Sequence, residues 1–269
     1  MRHDTHQTIP RGEPRVKGRN AGTWRGDGAL EGRRSIAPAP GIRGATERNG
    51  CAYNPGVPMR VGVLLAGCGL YDGSDVHETV FLLEALEAAG ERPVLVAPDL
   101  PQARTVDHLT GDAAEGDARR VWRESARLAR GRVRPLGEVD PAELLALIVP
   151  GGYGPAINFA SGFATPGAER RLLPEVRAFL LHFLESGKPV GLIGLGELPV
   201  CQALGEEAVP PALPADPATL TIDPRRPILR TPGFAAFTRL GDVRRGVEAL
   251  VRAVLDRLDG AAPAGGARA

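Results

Sequence analysis

The residue most informative about chemistry is a glycine, Gly194, where an α/β enzyme would be expected to carry a nucleophile. It follows an aliphatic run at 190–193 and precedes a stretch of helical character at 197–204. Many α/β enzymes place a reactive side chain at such a bend, because the N-terminus of the following helix activates it. Glycine has no side chain with which to attack. The sequence therefore indicates an enzyme scaffold without its main reactive group.

The cysteines offer few replacements for that group. Cys51, Cys68 and Cys201 are odd in number and widely spaced, which favours neither a disulfide framework nor a zinc site. Cys201 lies on the predicted helix after the bend, about 10 Å further along its axis. Cys68 follows the first predicted strand, whose end borders the same pocket in doubly wound sheets. Cys68 is thus either a small buried loop residue or a substitute thiol.

Two further groups of residues suggest ligand binding. The cluster Gly151, Gly152, Tyr153 and Gly154 follows an aliphatic run, and glycines there let the backbone turn sharply and approach a ligand closely. It lacks the spacing and the Lys-Ser/Thr ending of a nucleotide-binding loop. The carboxylates at 72, 75 and 78 have no histidine or cysteine array to complete a metal site. We therefore expect no metal and no other cofactor.

The elements that must position these residues follow an α/β pattern. From Met59 onward, short aliphatic runs alternate with amphipathic stretches, which is typical of a parallel sheet covered on both faces. The predicted strands are 61–65, 93–97, 144–149 and 190–193, with a possible short strand at 132–136 and a hairpin of 220–222 with 228–229. The predicted helices are 80–89, 119–130, 167–186, 197–204 and 243–258.

The two ends of the chain are predicted to lie outside this domain, which spans 59–258. Residues 1–58 are rich in Arg, Gly and Pro and have no helical or alternating period, so they are either a disordered extension or a mis-assigned start upstream of Met59. Residues 259–269 are predicted to be a disordered tail.

Charge and hydropathy exclude several classes of partner. The net charge is +1 and the arginines are scattered, so nucleic acid is not an expected partner. No apolar stretch resembles a secretory signal or a membrane span, so no membrane partner is expected. The chain is predicted to be cytoplasmic and reduced.

Four segments resemble one family: 67–78, 107–111, 146–154 and 231–233. They are similar to the ElbB-type proteins, in the PfpI-like branch of the class I glutamine amidotransferase-like superfamily. The resemblance implies a flavodoxin-like three-layer α/β/α sandwich with a mostly parallel sheet. It also implies a homodimer, a link to isoprenoid biosynthesis, and glutathione-independent glyoxalase chemistry that converts glyoxal-type dicarbonyls to hydroxy acids.

The resemblance also implies roles for individual residues. Glu78 would be the carboxyl that faces the bend and moves protons, and the N–H groups of Gly152 and Leu195 would stabilise an oxyanion, with Gly151 in the same site. A simpler interpretation of Glu78 is a favourable interaction with a helix N-terminus. His77 is predicted to face away, and His108 to border either the pocket or a subunit contact.

Two departures from the family pattern limit the functional prediction. Gly194 replaces the cysteine of a Gly-x-x-Cys turn, and the segment 205–219 is shorter and rich in proline. We therefore expect an impaired glyoxalase-type pseudoenzyme that keeps a pocket for a small carbonyl metabolite. The alternatives are a non-catalytic dimeric binding or regulatory module, and slow hydration of dicarbonyls by Glu78.

Overall fold

The computed structural model describes residues 60–114, 116, 118–161, 169, 171–206 and 214–261, all within the unit Gly44–Ala269. The predicted extension at 1–58 and most of the predicted tail at 259–269 lie outside the described residues. So does 207–213 of the proline-rich segment.

Within the described residues, seven strands form one sheet that is parallel except at one edge. They are β1 (Val61–Leu64), β2 (Val94–Ala97), β3 (Arg134–Pro135), β4 (Ala146–Val149), β7 (Val190–Ile193), β8 (Thr221–Ile222) and β9 (Ile228–Thr231). Two short strands, β5 (Ala160–Ser161) and β6 (Arg171–Leu172), pair with each other. The order in the sheet is β3-β2-β1-β4-β7-β9-β8, and only β8 runs antiparallel to its neighbour.

Helices cover both faces of this sheet. They are α1 (Val76–Ala88), α2 (Val121–Leu128), α3 (Gly154–Asn158), α4 (Pro174–Ser186), α5 (Leu198–Leu204) and α6 (Leu240–Ala261). Helices α1, α2 and α6 contribute to the core on one face, and α4 and α5 to the core on the other.

Alternation along the inner strand β1 explains why both layers are needed. Val61 and Val63 of β1 belong to the core beneath α1 and α6, whereas Leu64 belongs to the core beneath α4. All three side chains are fully buried, and such burial stabilises the fold by about 1.5–3 kcal/mol per large aliphatic side chain. The prediction of a three-layer sandwich with a mostly parallel sheet is confirmed.

Several helix boundaries differ from the sequence prediction; helix α1, for example, begins at Val76 instead of residue 80. The predicted helix 167–186 begins only at Pro174, after the extended residue Leu173, because proline suits the first turn of a helix and disfavours helical geometry in the residue before it. Helix α6 is longer at both ends than the predicted 243–258. The predicted hairpin is present as β8 and β9.

The connections between strands create a crevice at the carboxyl ends of the strands. From β1 the chain proceeds outward through β2 and β3, then returns so that β4 pairs with the other side of β1. Loops that leave neighbouring strands in opposite directions create a crevice at the carboxyl ends of the strands. The segments that follow β1, β4, β7 and β9 are therefore the ones that can build a site.

Candidate functional site

The first element of the site is the start of α1. Oδ1 of Asp75 accepts hydrogen bonds from the N–H groups of His77 (2.9 Å) and Glu78 (3.0 Å), which caps the helix. This cap fixes Glu78 in the first turn, where its side chain is only 2% exposed.

The Glu78 carboxyl joins the loops that follow β4 and β9 to helix α1. Its Oε2 accepts a hydrogen bond from the N–H of Gly151, after β4, at 2.9 Å. Its Oε1 accepts one from the N–H of Phe234, after β9, also at 2.9 Å. Burial raises the pKa of Glu78 to about 7, although the hydrogen bond from Phe234 opposes this rise. A carboxyl that is half protonated near neutral pH can both give and accept a proton.

Gly194 lies directly opposite this carboxyl. It follows β7, begins the 3₁₀ turn Gly194–Glu197, and has a φ of +49°. A Cβ placed on Gly194 would lie 3.4 Å from Oε1 of Glu78 and 3.3 Å from the carbonyl oxygen of Pro232. Residue 194 thus occupies the strand-to-helix bend that the sequence predicted, with its side-chain position directed at the carboxyl.

Backbone N–H groups lie beside this position. A Cβ on Gly151 would lie 2.5 Å from Oε2 of Glu78 and 3.2 Å from the nitrogen of Leu195, so the loops after β4 and β7 are in close contact. Within the described part of the chain, the N–H groups of Gly152 and Leu195 have no hydrogen-bond acceptor. Such N–H groups are the donors that an oxyanion or a carbonyl oxygen needs.

One cavity of about 890 Å³ is bordered by Glu78, Gly152, Gly194 and Leu195, whereas Gly151 holds the carboxyl from behind and does not line it. Its polar and backbone lining comes from Asp75, Glu78, Gly152, Gly194 and Leu195. The remaining lining is mostly aromatic and aliphatic: Leu70, Tyr71, Val76, Tyr153, Phe234, Phe237 and Leu240. The cavity is therefore larger than a small carbonyl metabolite needs, and binding of such a metabolite stays a prediction. The aromatic residues come from segments that are far apart along the chain, so the sequence alone did not predict that they line one cavity.

Both histidines of interest reach this cavity. His108 lines the cavity, as one of its two predicted locations requires. Its Nε2 accepts a hydrogen bond from the N–H of Tyr71 at 3.2 Å. The prediction that His77 faces away is wrong. Its ring is exposed but lines the cavity and stands edge-on to Phe234, with ring centroids 5.9 Å apart, because that loop folds back over α1.

Cys68 and Cys201 lie outside this cavity, and Cys51 is not among the described residues. Cys68 is half-buried, does not line the cavity, and burial raises the pKa of its thiol, which disfavours the thiolate needed for attack. Cys201 is buried on α5, and burial also raises its pKa. These positions favour the interpretation of Cys68 as a loop residue.

The sequence analysis missed Asn158, which holds the cavity loops together. Its Nδ2 donates to the carbonyl oxygens of Ala66 and Asp72, each at 2.8 Å, and its Oδ1 accepts from the N–H of Ala103 at 2.9 Å. A polar side chain among the apolar residues at 155–160 is the one signal that could have identified it. Phe234 was also missed, although it directly follows the matched segment 231–233.

The described residues contain no cluster of three or more His, Cys, Asp or Glu side chains that could hold a metal ion. None of the helices in these residues is both long enough and apolar enough to cross a membrane.

Comparison with known proteins gives a consistent result. No family model matches the chain. It is 32% identical over 246 residues to the human glutamine amidotransferase-like class 1 domain-containing protein 3, mitochondrial, covering 81% of this chain and 91% of the human protein. It is 29% identical over 249 residues to a mitochondrial ES1 protein homolog from Rattus norvegicus, covering 82% and 93%.

Among solved structures, the chain is similar to an isoprenoid biosynthesis protein with an amidotransferase-like domain from Ehrlichia chaffeensis. The TM-score is 0.67 at 25% sequence identity, and the match covers 74% of this chain and 99% of that one. That similarity extends to the flavodoxin-like architecture described above.

Proposed function

We propose that this chain, which belongs to the glutamine amidotransferase-like class 1 family with the ES1-type proteins, binds carbonyl compounds in a glyoxalase-type site that has lost covalent catalysis. The observation that carries the proposal is the position of Gly194. A Cβ on Gly194 would lie 3.4 Å from Oε1 of Glu78, in a cavity that Gly152 and Leu195 also line.

The remaining groups suit a bound carbonyl. The N–H groups of Gly152 and Leu195 are available to its oxygen, and Glu78 can hold or release a proton because its pKa is about 7. Without a thiol, no bond forms between the protein and the carbonyl carbon. The chemistry then ends at reversible binding.

The test is dicarbonyl consumption by purified protein. We expect the native chain to leave methylglyoxal unchanged, and Gly194→Cys to consume it and release lactate. Gly194→Ala is the matched control, because it adds a Cβ at the same backbone conformation without a thiol. Circular dichroism verifies that both variants fold.

Two results would contradict the proposal. Rapid consumption of methylglyoxal by the native chain would show that catalysis does not need residue 194. A folded Gly194→Cys that is as inert as Gly194→Ala would show that the rest of the site no longer supports this chemistry.

A second candidate function is slow hydration of dicarbonyls by Glu78 acting as a general base, and the raised pKa of this residue favours it. A positioned base contributes roughly 10²–10⁴-fold to a rate. Any slow activity of the native chain should then disappear in Glu78→Ala. If that variant keeps the activity, the base is another group.

Assembly and location complete the proposal. We propose that the chain forms a homodimer, and light scattering of the purified protein tests this. The human and rat relatives are named as mitochondrial proteins. A cytoplasmic location for this chain is therefore a prediction that cell fractionation must decide.

A further inference from the structure

We infer that the cavity beside Glu78 selects carbonyl compounds that carry an uncharged aromatic or comparably bulky apolar group, and that it rejects phosphorylated ones. This assignment rests on the proposed carbonyl binding and adds the substrate class.

Volume is the first argument. The cavity of about 890 Å³ falls in the range of roughly 300–1,000 Å³ that is usual for pockets of drug-sized ligands. A three-carbon dicarbonyl held at Glu78 would leave most of this space to water. The rest of the cavity is therefore available to a larger group attached to the carbonyl.

The lining of that space is aromatic. The rings of Tyr71 and Tyr153 are tilted by 39° with centroids 6.3 Å apart, and Tyr71 also contacts the ring of His108 at 5.1 Å. Phe234 and Phe237 contribute from the loop after β9. Offset and tilted ring pairs at such distances are the arrangement in which a further aromatic ring packs well.

Several large apolar side chains around the cavity are incompletely covered. Leu70 is 37% exposed, Val76 is 39% exposed and Leu240 is 49% exposed, and all three line the cavity. An apolar group bound in the cavity would remove this apolar surface from water, which favours its binding.

Charge decides against phosphorylated ligands. Among the described residues that line the cavity there is no lysine and no arginine, whereas Asp75 and Glu78 both contribute carboxyl groups. In the described lining, the ionisable nitrogens are those of His77 and His108. Phosphate recognition normally relies on Arg or Lys, so a phosphate here would face carboxyl groups without a matching permanent cation.

The closing experiment compares three probes by isothermal titration calorimetry with the full chain. The probes are 4-phenyl-2-butanone, acetone and dihydroxyacetone phosphate. We expect the phenyl ketone to bind at least about tenfold more tightly than acetone, and the phosphate compound not to bind.

Variants locate the effect. Tyr153→Ala removes a ring that is 41% exposed, so the fold should tolerate it, and we expect it to weaken phenyl ketone binding about tenfold. Leu109→Ala is the matched control, because Leu109 is 93% exposed and does not line the cavity. It should leave the affinity unchanged.

The outcomes separate the two proposals. If neither ketone binds, the proposed carbonyl binding is overturned together with this assignment. If both ketones bind equally, if the phosphate compound binds more tightly than the phenyl ketone, or if Tyr153→Ala binds like the native chain, only the apolar selectivity is overturned.

Discussion

Gly194 and Glu78 face each other across the crevice, and a Cβ on Gly194 would lie 3.4 Å from Oε1 of Glu78. Gly194 has a backbone φ of +49°, which residues other than glycine rarely adopt. A glycine at this position therefore removes a nucleophile and also relieves backbone strain. Both effects can be measured.

Gly194→Ala should destabilise the fold more than Gly187→Ala does. Both positions have positive φ, so each substitution should cost about 1–2 kcal/mol. A Cβ on Gly187 meets nothing within 4 Å, whereas one on Gly194 lies 3.3 Å from the carbonyl oxygen of Pro232. Urea unfolding of the two variants measures the difference. Equal losses would mean that the bend yields without cost.

Glu78 should make the protein less stable as pH rises. Its pKa is about 7 in the folded state and 4.5 ordinarily, so between these values the folded state holds a proton that the unfolded chain has released. The contribution of Glu78 to the free energy of unfolding is therefore fully present below pH 4.5 and is lost as the pH rises through 7.

Replacing this carboxyl tests the sign of that dependence. A pKa shift from 4.5 to about 7 lowers the free energy of unfolding by on the order of 3 kcal/mol as the pH rises from 5 to 8. Glu78→Gln does not titrate, so this part of the pH dependence should be absent in the variant. The amide also places a donor against a backbone N–H, so the variant should be less stable at pH 5 by about 1–3 kcal/mol. Urea unfolding at both pH values checks this, and an unchanged decline would contradict it.

Gly233→Ala should displace the Glu78 carboxyl. A Cβ on Gly233 would overlap Oε1 of Glu78 and lie 2.9 Å from Cγ2 of Ile193. We expect a loss of at least about 2 kcal/mol together with loss of carbonyl binding. Gly241→Ala is the matched control, because its Cβ meets nothing within 4 Å, and alanine within α6 should stabilise the helix by about 0.5–1 kcal/mol. Thermal unfolding and calorimetric titration with 4-phenyl-2-butanone distinguish the two variants, and a Gly233→Ala that behaves like Gly241→Ala would sink this prediction.

Asn158→Ala should loosen the loop after β1. It leaves the carbonyl oxygens of Ala66 and Asp72 without their donor, at about 1–3 kcal/mol for each buried group left unpaired. Asn158→Asp should be comparably destabilising, because a carboxylate cannot donate to either oxygen. Hydrogen exchange of the segment 67–74 should quicken in both variants, and unchanged protection would exclude this bracing role.

Cys68 should react slowly with iodoacetamide in the folded protein, because burial raises the pKa of its thiol. Cys68→Ser should leave binding of 4-phenyl-2-butanone unchanged, since residue 68 does not line the cavity. Peptide mapping by mass spectrometry separates its labelling from that of the other cysteines. Weaker binding in Cys68→Ser would revive the substitute-thiol hypothesis.

The sequence by itself determined the layers of the fold and the location of its central feature. Aliphatic runs such as 146–149 and 190–193 are short, local and unambiguous, so their periodicity predicted the strands. The bend at Gly194 and the first turn of α1 at Glu78 are also local, since each needs only a strand or helix end next to the residue.

Only the tertiary structure decided what surrounds that feature. Phe234 and Asn158 reach the site from segments far apart along the chain, and His77 lines the cavity because another loop folds over α1. The size of the cavity and the raised pKa of Glu78 likewise arise from burial by several loops at once. Periodicity records local neighbours, whereas burial and cavity shape are properties of contacts between distant segments.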